Sequence, residues 1–190
     1  MKVQPLATGR VESLCMDGSP VDSILFLLDG PYREQHYGFT RKLSGHDGGY
    51  IRTSSLTKGS TVFNWRTWTG LSTEEIKEVE SKIGVGIPQG CLLENITLSG
   101  IPDFSRLAPT TRLVFPVKDC GNGKQAILAV WEENSPCKGV GEPLERYHGI
   151  AGLKTRFIAE ARHKRGVMGL VLAVGRVEVG DTVLVYPPLQ

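Results

Sequence analysis

Turn-forming residues punctuate this chain along its whole length, and their spacing confines it to short structural elements. The 23 glycines and 11 prolines are spread over the 190 residues and do not gather in one linker. Between them lie brief runs rich in Val, Ile, Leu and Phe, the pattern of a mainly β fold. The expected strands are Arg10 to Cys15, Ile24 to Leu28, Arg112 to Val117, Gln125 to Trp131, Val167 to Val174 and Thr182 to Tyr186. In the last of these, Val183 and Val185 alternate with Thr182 and Leu184, so at least one face is buried. Gly180-Asp181 supplies the tight turn before it. No repeat or low-complexity tract interrupts the pattern, and residues 1–190 are expected to form a single domain whose core needs no disulfides.

Two segments have helical periodicity instead. Ser72-Thr73-Glu74-Glu75 reads as a capping box, in which Ser72 caps the amide of Glu75 and Glu75 reaches back. Ile76, Val79 and Ile83 follow at helical spacing, and Gly84 is placed to end the helix. A second helix is expected from about Ala151 to Lys164, with Leu153, Phe157, Ile158 and Ala161 as its apolar face and Gly166 as its stop. Both helices should pack against a barrel or sheet. The basic side chains of the second, Lys154, Arg156, Arg162 and Lys164, read as a solvated face more readily than as a docking surface. By contrast, Asp29 to Trp68 has no clear periodicity but holds several glycines together with Arg33, His36, Arg41, His46, Arg52 and Arg66. A stretch of that length is the first place to look for a binding site.

Composition narrows the function classes. A formal charge of +2 gives no reason to expect nucleic acid or an acidic membrane as partner. No apolar run approaches the roughly 20 residues that span a bilayer, and the first residues lack the apolar core of a secretory signal. A cytoplasmic protein is the expectation, with Cys15, Cys91, Cys120 and Cys137 as free thiols, since neither CxxC pairs nor zinc-type spacing occurs.

The stretch Asn134-Ser135-Pro136-Cys137-Lys138-Gly139 follows an expected strand and reads as a turn. Pro136 fixes a dihedral beside the thiol, and Lys138 offers a charge that would favour the thiolate. A lone cysteine is also, more commonly, a small buried hydrophobe. These residues resemble the MOSC domain, named for the C-terminal part of molybdenum cofactor sulfurase, which carries a Pro-Cys pair after a strand. Glu133 to Cys137 is similar to the Glu-Asn-x-Pro-Cys stretch of small free-standing members. Leu92 to Ile96, Ser99 to Pro102, Thr111 to Leu113, Arg165 to Val167, Gly175 and Val179 to Val183 resemble further family segments in order. Val62 to Arg66 and Ser72 to Ile76 resemble the family's Asn-x-Arg strand and the helix after it.

The resemblance implies a closed or nearly closed β-barrel with a few peripheral α-helices, and a site where the Asp29 to Trp68 loop meets Cys137 at one barrel mouth. It makes Cys137 the candidate working residue, as a molybdenum ligand or as the carrier of persulfide sulfur. A molybdenum cofactor (molybdopterin) would find a phosphate partner in Arg66, ring-edge partners in Asn64, Asn95 and Asn134, and a phosphate or proton-handling group in His36. Glu34 would orient His36, and Lys138 would stand beside the thiol. Two alternatives remain: a molybdenum-dependent reductase of N-hydroxylated compounds, and a non-catalytic anion- or partner-binding module. The reductase would need a separate electron donor, because the chain has no iron–sulfur cysteine cluster or nucleotide fingerprint; a persulfide role would need a sulfur donor. Two departures from the family pattern stand out. Arg33 replaces the glycine of a Gly-Asp-x-His segment, leaving Arg33-Glu34-Gln35-His36, and Leu93 replaces the glycine before Glu94-Asn95. The Leu43 to Lys58 loop is also longer than in the shorter relatives.

Overall fold

The computed structural model describes residues 3–44, 47–117 and 125–188. Its frame is a barrel. Strands β1 (Ala7–Met16), β7 (Trp68–Ser72), β8 (Ile96–Ser99), β9 (Arg112–Val114), β10 (Ile127–Glu133), β11 (Val167–Ala173) and β13 (Thr182–Tyr186) pair in the order β13-β9-β10-β11-β7-β8-β1. Pairing of β1 with β13 closes the ring, with Ala7 opposite Val185 and Gly9 opposite Val183. Closure removes the exposed strand edges an open sheet would leave. Shorter strands complete the sheets: β2 (Ser19–Val21) on the end of β1, and β12 (Gly175–Glu178) with β3 (Ser23–Leu27) and β4 (Gly30–Pro31).

Every neighbouring pair in the ring is antiparallel except β7 and β8, which run parallel. Parallel neighbours need a crossover, and helix α2 (Thr73–Ile83) supplies it. The crossover sets the starts of β7 and β8 side by side, so Arg66 and Thr67 before one strand come near Leu93 and Asn95 before the other.

Alternation along the strands divides the wall into two faces. Trp68, Val167, Val171, Leu113, Val183 and Val185 fill the barrel interior, with Phe26, Phe104 and Ile96. Leu71 faces the other way, into a second cluster where α2, α3 (Lys138–His148) and α4 (Leu153–Glu160) pack with Leu92, Val140, Leu144, Leu153 and Phe157. The helices therefore cover one side of the barrel, as their apolar stripes require.

Details depart from the sequence expectations in informative ways. Ser72 does cap α2, accepting from the Glu75 amide at 3.3 Å. Glu75 does not reach back; its carboxylate instead accepts from the Ser105 amide and hydroxyl, at 2.9 and 2.6 Å. Gly84 ends α2 with a φ of 76°. The second expected helix is shorter, Leu153–Glu160, so Gly166 does not end it. A side chain at Gly166 would instead strike the Gly70 carbonyl, which fixes glycine there for close approach of the two strands. The Asp29 to Trp68 stretch contains the two-stranded ribbon β5 (Thr40–Lys42) and β6 (Thr61–Phe63), linked through the short helix α1 (Gly48–Thr53). Cys15, Cys91 and Cys137 are free thiols, and Cys120 and His46 lie outside the described residues. Among the described residues no helix is long and apolar enough to cross a membrane.

Candidate functional site

A cleft of about 690 Å³ runs between the Asp29 to Trp68 stretch and the barrel wall. Its lining includes Glu34, His36, Asn64, Arg66, Asn95 and Asn134, six residues drawn from three separate parts of the sequence. The floor holds Thr69 and Met168, which face out of the barrel because Trp68 and Val167 face in. The cleft therefore lies along the outer wall, at the strand ends that carry Thr67, Asn95, Asn134 and Arg165.

The loop that forms the outer lip is pinned at Asn64, which is 2% exposed. Its side-chain nitrogen donates to the carbonyls of His36 and Gly38, at 3.0 and 2.9 Å, and its oxygen accepts from the Arg66 amide at 3.2 Å. Both donors are thus spent on backbone, and Asn64 holds the loop in place. Asn95 is used differently. Its oxygen accepts from the Thr69 amide at 2.9 Å, while its side-chain nitrogen has no hydrogen-bond partner among the described residues. Asn134 donates its backbone amide to the Gly166 carbonyl at 2.9 Å, and its side chain makes no hydrogen bond among the described residues.

Glu34 brackets His36: Oε1 lies 3.2 Å from Nδ1, and Oε2 accepts from the His36 amide at 2.6 Å. That hydrogen bond raises the imidazole above its ordinary value, against burial, which lowers it.

The cationic wall depends on Asp47, a residue that no sequence motif points to. Asp47 is 4% exposed and takes a forked pair from Arg41 at 3.0 and 2.7 Å. It also accepts from the Ser44 amide and hydroxyl, at 2.7 and 3.0 Å, and lies 3.4 Å from Arg66 Nη1. Burial alone would push its carboxyl up, but Arg41, the Ser44 hydrogen bonds and Arg66 together hold it well below the usual carboxylate range. Arg41 also stacks over the Trp65 ring at 4.3 Å, and Glu132 accepts from Arg66 Nε at 3.2 Å and Trp65 Nε1 at 3.0 Å. Arg66 is therefore anchored on two carboxylates while lining the cleft. His148 Nε2 meets the Gly86 carbonyl at 2.8 Å, and among the described residues no group of three or more His, Cys, Asp or Glu side chains is placed to hold a metal ion.

The inner end of the cleft is organised by Arg165. It is 4% exposed, lines the cleft, and gives Nη2 to the Leu92 carbonyl, while its Nε and Nη1 have no hydrogen-bond partner among the described residues. Burial lowers its pKa to about 10, and the negative charge of Glu94 opposes that fall. Glu94, itself buried, accepts from the Gly90 amide through Oε1 and leaves Oε2 unpaired. Sequence reasoning met Arg165 only as part of a motif; its burial is a tertiary property.

Cys137 and Lys138 do not line the cleft. Cys137 is the N-cap of α3, half-buried against the helical cluster, with Asn134 and Val140 on either side of it in the chain contributing to the lining. Lys138 begins α3 and is exposed. The expected turn at 134–139 is in fact the approach to and first turn of an eleven-residue helix. The other described thiols are electrostatically closed off. Burial pushes Cys15 up to about 11, and burial with the Glu94 charge also raises Cys91.

Both departures from the family pattern have a backbone consequence. Arg33 has a φ of 70° and Leu93 a φ of 56°, left-handed values that favour glycine.

A MOSC domain model matches residues 64–184. The chain is 30% identical over 169 residues to YuaD of Bacillus subtilis (strain 168), a protein named for metal-sulfur cluster biosynthesis; the match covers 87% of this chain and 81% of YuaD. The crystal structure of YuaD from Bacillus subtilis matches with a TM-score of 0.85 at 27% identity, over 96% of this chain and 97% of that one. YiiM from Escherichia coli shares the fold more distantly, with a TM-score of 0.55 at 14% identity over 95% of this chain and 71% of YiiM. Glu34, His36, Arg41 and Asp47 precede the segment matched by the family model.

Proposed function

This chain belongs to the MOSC domain family, and from that premise we propose that its cleft binds an anionic, heteroatom-rich ligand of the molybdopterin type, with Cys137 as the working thiol. The observation that carries this reading is Arg165. A buried guanidinium with two unpartnered nitrogens is costly, and an anionic group at the inner end of the cleft would offset that cost. The chemistry of the lining fits the same class. Arg41, Lys42, Arg66 and Arg165 line the cleft against a single carboxylate, Glu34. The free amide nitrogen of Asn95 and the uncommitted side chain of Asn134 suit ring heteroatoms.

In this reading Arg66, held by Asp47 and Glu132, and His36, held by Glu34, receive the charged end of the ligand. Asn95 and Asn134 hold its ring edge. Arg165 supports negative charge next to Cys137, whose soft sulfur suits molybdenum or a terminal sulfur atom. A bound molybdenum cofactor would supply a redox-active metal, and a persulfide would supply transferable sulfur.

Molybdenum content separates the roles. The protein is purified anaerobically from a host that makes the cofactor, as wild type and as Cys137→Ser. Molybdenum in the wild type and at most a tenth as much in the variant is the expected result. Equal loading would remove the ligand role from Cys137. Absence of molybdenum from both, with cyanide-releasable sulfur on the wild type alone, would assign Cys137 to persulfide carriage.

A further inference from the structure

Leu93 is out of place by two separate criteria. Its left-handed backbone, φ 56°, is disfavoured for any residue with a side chain. Its side chain is also 49% exposed, although it is wholly apolar. Hydrogen bonds fix that conformation from both ends: the Leu93 amide donates to Gly90 at 2.9 Å, and its carbonyl accepts from Thr69 Oγ1 at 3.0 Å. These bonds oppose any backbone relaxation that would withdraw the side chain, which lines the cleft. Tyr37 lines the same cleft, is 40% exposed, and is braced edge-on by Tyr32 at 6.3 Å between ring centres. The cleft thus offers apolar contact as well as cationic groups. Strain held in a binding wall persists where the surroundings over-determine it, and an exposed apolar side chain gains when a ligand covers it.

We propose that Leu93 is a specificity-determining residue of the cleft, selecting anions that carry a planar, apolar body over bare anions. It acts together with Tyr37: the charged end of the ligand meets the basic residues, and its flat body covers Leu93 and Tyr37. This rests on the anion-binding reading of the cleft, and the test separates the two.

Calorimetric titration of the full chain with inorganic phosphate and with phenyl phosphate is the experiment, for wild type, Leu93→Gly and Leu93→Ala. Leu93→Gly relieves the backbone while Leu93→Ala keeps it, so agreement between them isolates the side chain. The wild type is expected to bind phenyl phosphate about tenfold more tightly than inorganic phosphate. Both variants should keep their affinity for inorganic phosphate within about twofold and lose most of the preference for the aryl ester. A preference that survives in both variants, or one absent from the wild type while inorganic phosphate binds, overturns the role of Leu93 alone. Failure of the wild type to bind either anion overturns the anion-binding reading, and the specificity role with it.

Discussion

Two buried ionic centres flank the cleft, and they are built on opposite principles. At Asp47 both carboxylate oxygens are used: two arginines and the Ser44 backbone and hydroxyl converge on them, and Arg41 leaves only its Nε without a hydrogen-bond partner. At Arg165 and Glu94 the pairing is much thinner, since two guanidinium nitrogens and one carboxylate oxygen lack partners among the described residues. A saturated carboxylate is what a structural anchor needs, because an incomplete buried ion pair costs more than an apolar replacement. The Asp47 centre therefore holds the cationic wall in position, while the Arg165 centre leaves hydrogen-bonding capacity unspent. The difference shows that two equally buried charges in one cleft can be built to different ends, one saturated and one not.

The sharpest way to break this comparison is Asp47→Asn, which leaves Arg41 without its carboxylate and Arg66 with Glu132 alone. It should destabilise the fold by about 3 kcal/mol at neutral pH, measured by urea unfolding. Because the Asp47 carboxyl is held below its ordinary value of about 4, its contribution is complete above that pH and fades as pH falls through the folded value. The gap between wild type and Asp47→Asn should accordingly be constant from pH 7 to about pH 5 and narrow at pH 3. A gap unchanged at pH 3 would mean that the carboxylate charge is not what anchors the wall.

The second centre is probed by a double-mutant cycle. Arg165→Met alone leaves Glu94 buried without its nearby cation and should cost about 2 kcal/mol. Adding Glu94→Gln should recover about 1 kcal/mol of that loss, giving a coupling well outside additivity. Strict additivity would separate the two residues energetically and end the description of them as one centre.

The smallest effect is expected at the strained lip. Arg33→Gly relieves a left-handed backbone at a cost of about 1–2 kcal/mol in the wild type, offset by the entropy of a glycine in the unfolded chain. A net gain of about 0.5 kcal/mol is expected, read as a rise in the urea midpoint. A loss of stability would show that the contact of Arg33 with the Tyr32 ring, 5.1 Å from the centroid, outweighs the strain.

These two centres also mark where sequence reading succeeds and where it stops. The barrel strands were legible because alternation is local: Thr182 to Tyr186 matches its observed bounds, and Val183 and Val185 are buried as their spacing requires. The Ser72 cap was legible for the same reason. Helix α3 was not. Gly139, Gly141 and Pro143 weaken its helical signal, and tertiary packing of Val140 and Leu144 overrides that propensity. The long irregular stretch was a sound pointer to the cleft, since its incompatibility with regular periodicity is itself a local property. Asp47 stayed hidden because its pairing with Arg66 spans a ribbon and a helix. Arg165 stayed hidden because an arginine is ordinarily a surface residue, and nothing nearby in the sequence says otherwise.

The crossover through α2 and the alternation of β7 and β11 have one more consequence. Thr69 and Met168 line the cleft, whereas their neighbours Trp68 and Val167 hold the interior. The barrel thus separates the side chains of the cleft floor from those of its interior foundation. Diversifying residue 168, with Thr69 kept because its hydroxyl holds the Leu93 carbonyl, should yield clefts of altered shape over an unaltered interior, which makes this protein a practical starting point for laboratory evolution of new binding preferences.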